Sequence, residues 1–343
     1  MEVRRLSEES EDAYETFVQK HPNALLYYSL KYKKLLEQLL GCEALYLLAM
    51  DGDAIKGVFP MMRIAGKWGW VYNSLPFYGS HGGILAEGEE IVSLLTDAYH
   101  QMLEREPVAT ATIISNPFHP APCAQVRHHH RDERIGQMTD LDFEENVEAA
   151  LMRVIEPSAR RNIQKALREG IEVTIDNGQF DFLRKVHEEN IHAVGGRPKP
   201  DKFFSLVDHC FQAGSDYNLY VARRGEDPIG ALLVFYYHGV VEYFVPATVE
   251  ACRSFQPLAL TVFRAMVDAS RQGLKLWNWG GTWLAQEGVY RFKRKWAAVE
   301  RRYVYYTFVK NREIYGRQPE ELLAEYPHFF VIPFSVIERK GNA

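Results

Sequence analysis

The stretch LWNWGGTWLAQEGVYRFKRKW, residues 276–296, decides how the chain is read. It joins a short aromatic strand ending at Asn278 to a paired-glycine turn at Gly280 and Gly281. A basic helical segment with Tyr290, Arg291, Phe292 and Lys293 follows. Two adjacent glycines allow a sharp turn or a close approach to a ligand, because neither carries a Cβ. Phe292 and Trp296 lie four residues apart, so one helical face is apolar, and Lys293 falls beside that face. A cation held there could stabilise negative charge that develops in a reaction. Taken alone, the stretch reads first as a strand, a turn and an amphipathic helix with a solvated basic side. The rest of the chain has to decide.

The chain has 343 residues, enough for two domains, with 47% hydrophobic and 25% charged residues, as in ordinary globular proteins. A net charge of −5 excludes a general polyanion binder; any nucleic-acid contact needs a local basic patch, and DNA is not an expected partner. Residues 1–17 contain no apolar core segment of the secretory type. The most hydrophobic stretch, residues 230–247, is broken by His238 and Gly239 and carries Glu242. It reads as a two-strand hairpin, not a membrane span. Cys42, Cys123, Cys210 and Cys252 are far apart with no CxxC pair, which fits reduced thiols and a cytoplasmic location.

From the N-terminus, the pattern predicts helices over 8–20 and 28–40, with Gly41 as the stop of the second. Strands follow over 44–50 and 54–64, joined at Asp51-Gly52, and a third over 68–73. Residues 74–85, SLPFYGSHGGIL, are rich in Gly and aromatics and read as a binding loop. A helix over 89–105 and a strand over 108–115 come next. Residues 116–136 are irregular. Their His128-His129-His130 run reads as a solvated loop in preference to a metal site, since neighbours on an extended chain face opposite sides. A strand over 137–143 closes this part.

Residues 144–170 form a long helical pattern interrupted at Pro157, with Ser158 able to cap its second half and Gly170 ending it. Ile163, Ala166 and Leu167 are expected inward. Arg160, Arg161, Lys165 and Arg168 make either a solvated face or a face for phosphate oxygens, and both readings stay open. A strand over 171–175, helices over 180–193 and 201–213, and a meander over 218–223, 228–237 and 240–245 follow. A helix over 257–272 leads to the strand over 274–278 that enters the opening stretch. A strand over 301–309 and a helix over 319–326 finish the chain. Both halves show helices, an antiparallel meander, a helix and a further strand. A duplicated mixed α/β unit, divided within the helix at 144–170, accounts for this.

The second half, with SARRNIQKALREGIEV, SFQPLALTVFRAMVDASRQGLKLWNWGG and GVYRFKRKW, resembles the Fem-type (FemABX-like) branch of the GNAT acyltransferase superfamily, with its BioF-type acetyltransferase domain. The loop SLPFYGSHGGIL resembles the family's Pro-aromatic-Gly-Gly loop, and is nearest to relatives that accompany exopolysaccharide and protein-sorting systems. The resemblance implies an α/β fold with mixed sheets, as two tandem GNAT-like acyl-CoA N-acyltransferase domains. Residues 1–155 would be the acceptor side and 156–343 the donor and catalytic side. It implies transfer of an acyl or aminoacyl group to an amine of a cell-envelope, peptidoglycan-like or polysaccharide-related acceptor, without metal or tightly bound cofactor. The acceptor would be a small molecule or lipid-linked, and the donor aminoacyl-tRNA or acyl-coenzyme A. A coenzyme A-dependent N-acetyltransferase and a non-catalytic precursor-binding module are the alternatives.

Two departures bear on the donor. No glycine lies between Pro246 and Leu260, where a GNAT loop would hold a coenzyme A pyrophosphate, although Arg253 could contact phosphate. No coiled-coil arm interrupts the second half, so use of tRNA has no support from that source. For aminolysis, Lys293 is the first candidate to stabilise the oxyanion, helped by backbone amides near Gly280 and Gly281. Glu242 or Tyr243 could be the base, and strand alternation puts only one on the ligand side, with Tyr243 preferred. A dedicated base is not required where proximity suffices. Phe292 and Tyr290 would shape the donor side together with Arg161 and Arg253. Phe77, Tyr78, Gly82 and Gly83 would meet the acceptor, or Phe77 and Tyr78 are core residues at a strand end.

Overall fold

The computed structural model describes residues 1–77, 81–144, 146–282 and 286–337. The chain divides into two compact units, Met1–Arg134 with Arg302–Ala343, and Ile135–Arg301. This differs from a division at residue 155. The C-terminal strand pairs with Val108–Ile114, almost 200 residues earlier, and such a non-local return leaves no trace in local periodicity.

The first unit begins with β1 (Glu2–Arg5), α1 (Glu11–Lys20) and α2 (Leu30–Leu40), the last ended by Gly41 in the left-handed region. Then come β2 (Glu43–Ala44), β3 (Leu47–Asp51), β4 (Ala54–Phe59), β5 (Met62–Ile64), β6 (Trp70–Asn73) and β7 (Leu85–Ala86). α3 (Glu89–Arg105) and β8 (Val108–Ile114) follow. Strands β1, β3, β4 and β7 form an antiparallel sheet in that order. The expected strands over 44–50 and 54–64 are each split in two. Pro60 supplies no N–H for a ladder, and beyond it β5 pairs with β2 and β6 while β4 pairs with β3. α3 buries Ile91, Leu95, Tyr99 and Leu103 against Leu47, Phe59, Tyr72 and Ile113, as the period of 3.6 demands.

The second unit takes the inner part of β9 (His130–Asp140), then α4 (Val147–Val154), α5 (Pro157–Arg168) and β10 (Ile171–Ile175). Next are α6 (Phe180–His192), α7 (Asp201–Cys210), β11 (Tyr217–Arg224), β12 (Asp227–Tyr237) and β13 (Val240–Thr248). α8 (Pro257–Arg271), β14 (Leu276–Thr282) and α9 (Glu287–Arg294) complete it. Its strands run in the order β10, β11, β12, β13, β14, β9, antiparallel except for the parallel pair β13–β14, which α8 connects. The first unit shows the same device, a parallel pair β6–β8 joined through α3. The chain then returns to the first unit through β15 (Val299–Val309), which pairs with β8, and α10 (Pro319–Glu325).

The long helical pattern at 144–170 is two helices. Pro157 takes the first position of α5 with Glu156 as its N-cap, so Ser158 lies inside the helix and does not cap it. Leu167, expected inward, is 43% exposed, while Ile163 and Ala166 are buried. The core of the second unit joins α5 and α8 to the sheet through Ile163, Leu260, Phe263, Met266, Leu232 and Trp277. The four cysteines form no disulfide. Among the described residues no cluster of His, Cys, Asp or Glu could hold a metal ion, and no helix is long and apolar enough to cross a membrane.

Candidate active site

Strands β13 and β14 pair only from Val240 to Glu242 against Leu276 to Asn278, and then part. Two irregularities accompany the parting. On β13 the register against β12 shifts so that Leu233 faces Val245 and Val234 faces Tyr243, leaving Phe244 as a bulge. On β14 the register against β9 shifts between Asn278 and Gly281. Trp279 and Gly280 therefore form a bulge opposite Gln137, and Gly281 is back in register with Gly136 in a strand that continues to Thr282. Gly280 has φ +73, a conformation that costs a residue with a Cβ about 1–2 kcal/mol.

The bulge on β14 is held from two sides. Asn278 accepts a hydrogen bond from the Gly280 N–H at 2.9 Å and donates its amide to Glu242 Oε2, also at 2.9 Å. Glu242 is 1% exposed, and its carboxylate thus orients Asn278 across the last paired rung of β13 and β14. On the other side, the Lys293 ammonium donates to Thr282 Oγ1 at 2.8 Å, to Gly281 O at 3.0 Å and to Gly280 O at 3.3 Å. The Thr282 hydroxyl donates in turn to Gln137 Oε1 on β9, and the Gln137 amide donates to the Tyr290 carbonyl. A closed set of bonds thereby ties α9, β14 and β9 together. Burial lowers the Lys293 ammonium from its ordinary value to about 8. From this position Lys293 fixes the bulge.

Tyr243, the preferred base of the sequence reading, packs its ring on Trp279 at 5.0 Å and on Trp277 at 6.2 Å. Burial pushes its phenol far above the ordinary tyrosine range, so it stays protonated and can donate but not accept a proton at neutral pH. Glu242 bonds to Asn278, and Tyr243 packs in the aromatic cluster of Trp277 and Trp279. Phe292 meets Trp279 edge-on at 5.9 Å and, with Trp296, anchors α9 to the core.

Beyond the parting of the strands lies a cavity of about 570 Å³. Ala159 and Asn162 of α5, Asn190 and Val194 around the end of α6, and Pro246 to Thr248 of β13 form part of its wall. Arg253, Gln256 and the first turn of α8 close one side, and Phe292, Lys295 and Trp296 the other. Apolar walls, two cations and a helix N-terminus suit a ligand with a hydrocarbon portion and an anionic end. Pro257 removes one N–H from that helix turn, and Gln256 before it sits at φ +65, so the missing glycine loop is replaced by a strained cap. Arg253 is exposed and pairs with Glu250 at 3.9 Å. Arg161 is exposed on α5 and does not line the cavity, while Asn162, which no sequence signal singled out, does.

The first-unit candidates are packed inside their own loop. Phe77 is 4% exposed, lies edge-on to His328 at 5.2 Å, and sits at φ +55, which supports the reading as a core residue. The Gly82 carbonyl accepts a hydrogen bond from the Tyr28 hydroxyl. A Cβ on Gly83 would stand 2.4 Å from Cys123 Sγ. Tyr78 lies outside the described residues. The histidine run is partly ordered by ring contacts, His128 tilted against Tyr306 and His129 stacked on Phe308, and β9 begins at His130.

Residues 157–294 match the family model described as an acetyltransferase (GNAT) domain. The cavity, both bulges and Lys293 fall within or against this segment, which carries the fold of an N-acyltransferase. No curated protein matches the sequence. Among solved structures, the chain is similar to the crystal structure of FemX, with 14% identity, TM-score 0.73, and coverage of 92% of this chain and 99% of that one. It is also similar to the C-terminal domain of a putative lysylphosphatidylglycerol synthetase from Agrobacterium fabrum, at 11% identity, TM-score 0.55, and coverage of 87% and 91%. A tandem GNAT protein from the clavulanic acid biosynthesis pathway matches at 9% identity, TM-score 0.53, and coverage of 90% and 98%. At these identities the likeness shows the fold, a mixed α/β architecture of tandem GNAT-like domains.

Proposed function

We propose that this chain transfers an acyl or aminoacyl group to an amine, with the donor held in the cavity of the second unit and the reaction taking place where β13 and β14 part. The carrying observation is that cavity's combination of an apolar wall and a cationic rim at Arg253 and Lys295, inside the segment that matches an acetyltransferase domain. The donor is a substrate that comes and goes, not a resident cofactor. In the transfer the amine attacks a carbonyl, and the oxyanion that forms is met by backbone N–H groups at the bulges and by the charge of Lys293 behind the β14 bulge. Lys293 acts through the bulge: while its three donors hold the carbonyls of Gly280 and Gly281 and the Thr282 hydroxyl, the backbone there keeps one shape.

The acceptor we infer is an amine-bearing precursor of the cell envelope or of a polysaccharide, a reading supported by the coverage of FemX and of the lysylphosphatidylglycerol synthetase domain. The test is to offer acetyl-coenzyme A, longer acyl-coenzyme A and aminoacyl-tRNA in separate reactions with amino sugars and amine-bearing muramyl-peptide precursors, and to follow amide formation by mass spectrometry. New amide from at least one donor supports the assignment. Tight binding of an acceptor with no amide from any donor would replace it with a binding module.

A further inference from the structure

Asn162 of α5 lines the cavity of the second unit, and Lys165 follows it by one turn on the same side of the helix. Arg161, Lys165 and Arg168 stand at i, i+4 and i+7, so they form one basic stripe beside the cavity wall. Arg161 and Arg168 are exposed and Lys165 is half-buried. The acids at the two ends of α5 pair elsewhere, Glu169 with Arg224 at 3.5 Å and Glu156 with Arg294 at 3.7 Å. Among the described residues the stripe therefore has no ion-pair partner. Lys295, just past α9, is half-buried and lines the cavity itself. The start of α8 offers an anion few donors. Pro257 has no N–H, the Ala259 N–H turns back to Gln256 O at 3.1 Å, and those of Cys252 and Gln256 go to Val249 and Arg253. Of the first three α8 positions only Leu258 keeps an N–H for a ligand, among the described residues. One N–H with Arg253 and Lys295 fits a single phosphate group, whereas a pyrophosphate needs a row of amides. The rings that line the cavity are Phe292 and Trp296, and Trp296 is 1% exposed, so successive nucleotide bases find no open faces to stack on.

We propose that the donor reaches this cavity as a thioester on the phosphopantetheine arm of an acidic carrier protein, whose negative face docks on the α5 stripe. This rests on the acyl-transfer reading of the cavity and names the donor class for it. Such an arm is a slender chain joined to its protein by one phosphodiester. The cavity takes the chain, the Leu258 N–H with Arg253 and Lys295 meets the one phosphate, and the stripe lies outside for the carrier surface. Free coenzyme A brings a pyrophosphate and a nucleotide that find no such partners here. The chain as a whole carries a net charge of −5, so the stripe is a local attraction that suits a small acidic protein better than a long polyanion. In the transfer the acceptor nitrogen attacks the thioester carbon and the C–N bond forms. The C–S bond breaks with its electron pair on sulfur, and the proton released by nitrogen passes through water to the carrier thiolate.

The test offers acetyl, longer acyl and glycyl groups on an acidic acyl carrier protein, on phosphopantetheine and on coenzyme A, and glycyl also on tRNA. Amide formation with the amine acceptors is followed by mass spectrometry. Expected is a kcat/KM for the carrier thioester at least about tenfold above that of the coenzyme A thioester. Lys165→Glu combined with Arg168→Glu should raise the carrier KM about tenfold and leave the phosphopantetheine thioester unchanged. Raising salt from about 0.05 to about 0.3 M should weaken the carrier thioester and spare the phosphopantetheine one in the same way, with the wild-type chain. A coenzyme A thioester as good as the carrier, a tRNA donor better than the carrier, or a double variant that slows all donors alike overturns the proposal and leaves the acyl-transfer reading standing. No amide from any of these donors overturns the acyl-transfer reading itself.

Discussion

Lys293 Nζ lies 2.8 Å from Thr282 Oγ1, and through that hydroxyl it is bonded to Gln137 on the neighbouring strand. The lysine that the sequence places beside the apolar face of its helix is thus a peg between that helix and a bulge. Replacing Thr282 by Val keeps its shape and removes both bonds. Loss of two buried hydrogen bonds, one to a charged donor, is expected to cost about 2–4 kcal/mol of stability and to reduce amide formation. Chemical denaturation and a transfer assay on Thr282→Val measure both; unchanged values in each would mean that the peg is dispensable.

Glu242 is expected to act by orienting Asn278. Glu242→Gln preserves an acceptor for the Asn278 amide and should retain activity within a few-fold. Glu242→Leu leaves that buried donor unsatisfied, at about 1–3 kcal/mol, and should lose activity. If Gln and Leu are equally inactive, Glu242 works as a carboxylate in the chemistry itself.

Gly280→Ala has open space at its Cβ but must hold φ +73. The expected cost is about 1–2 kcal/mol, with activity reduced through the altered bulge. Gly83→Ala meets Cys123 Sγ at 2.4 Å as well as a φ of +86, and should destabilise more while sparing the second unit's chemistry. Paired thermal melts and transfer assays rank the two, and a reversed order would show that the backbone near Gly83 yields.

His187 is held neutral by burial, lowered to about 4 from 6.5, so the unfolded chain binds its proton first as pH falls. Its contribution to stability is therefore complete above pH 6.5 and is lost between 6.5 and 4. The full shift corresponds to about 3 kcal/mol, and partial solvent contact brings the expected loss to about 2 kcal/mol. Denaturation midpoints of wild type and His187→Phe across that window should diverge; parallel curves would contradict it.

The antiparallel meander β11–β13 was legible because its apolar runs are separated by turn residues; His238-Gly239 is the second turn as expected, whereas the first is Gly225-Glu226, one residue before the expected Glu226-Asp227. α3 and α8 were legible from their apolar stripes. What failed was set by tertiary pairing. Gly280-Gly281 reads as a turn in any local window, and only the ladder with β9 shows a bulge at Trp279 and Gly280 with Gly281 back in register. Glu156 caps α5 because Pro157 takes its first position, two residues before a helix capped by Ser158 would begin. Lys199 sits in a polar loop between two prolines and looks solvated; Phe203 and Phe244, 4 and 45 residues on, are what bury it.

The central claim is that the second unit's cavity holds the acyl donor. Leu258 lines it from the first turn of α8 and is only partly buried, so Leu258→Trp should fill the space with the fold intact. The direct measurement is amide formation, by mass spectrometry, in wild type and in this variant under saturating acceptor. The account predicts amide from wild type and a rise in donor KM of at least about tenfold in the variant, the scale expected for loss of about 1.4 kcal/mol of binding. Equal donor KM in the two proteins would contradict it.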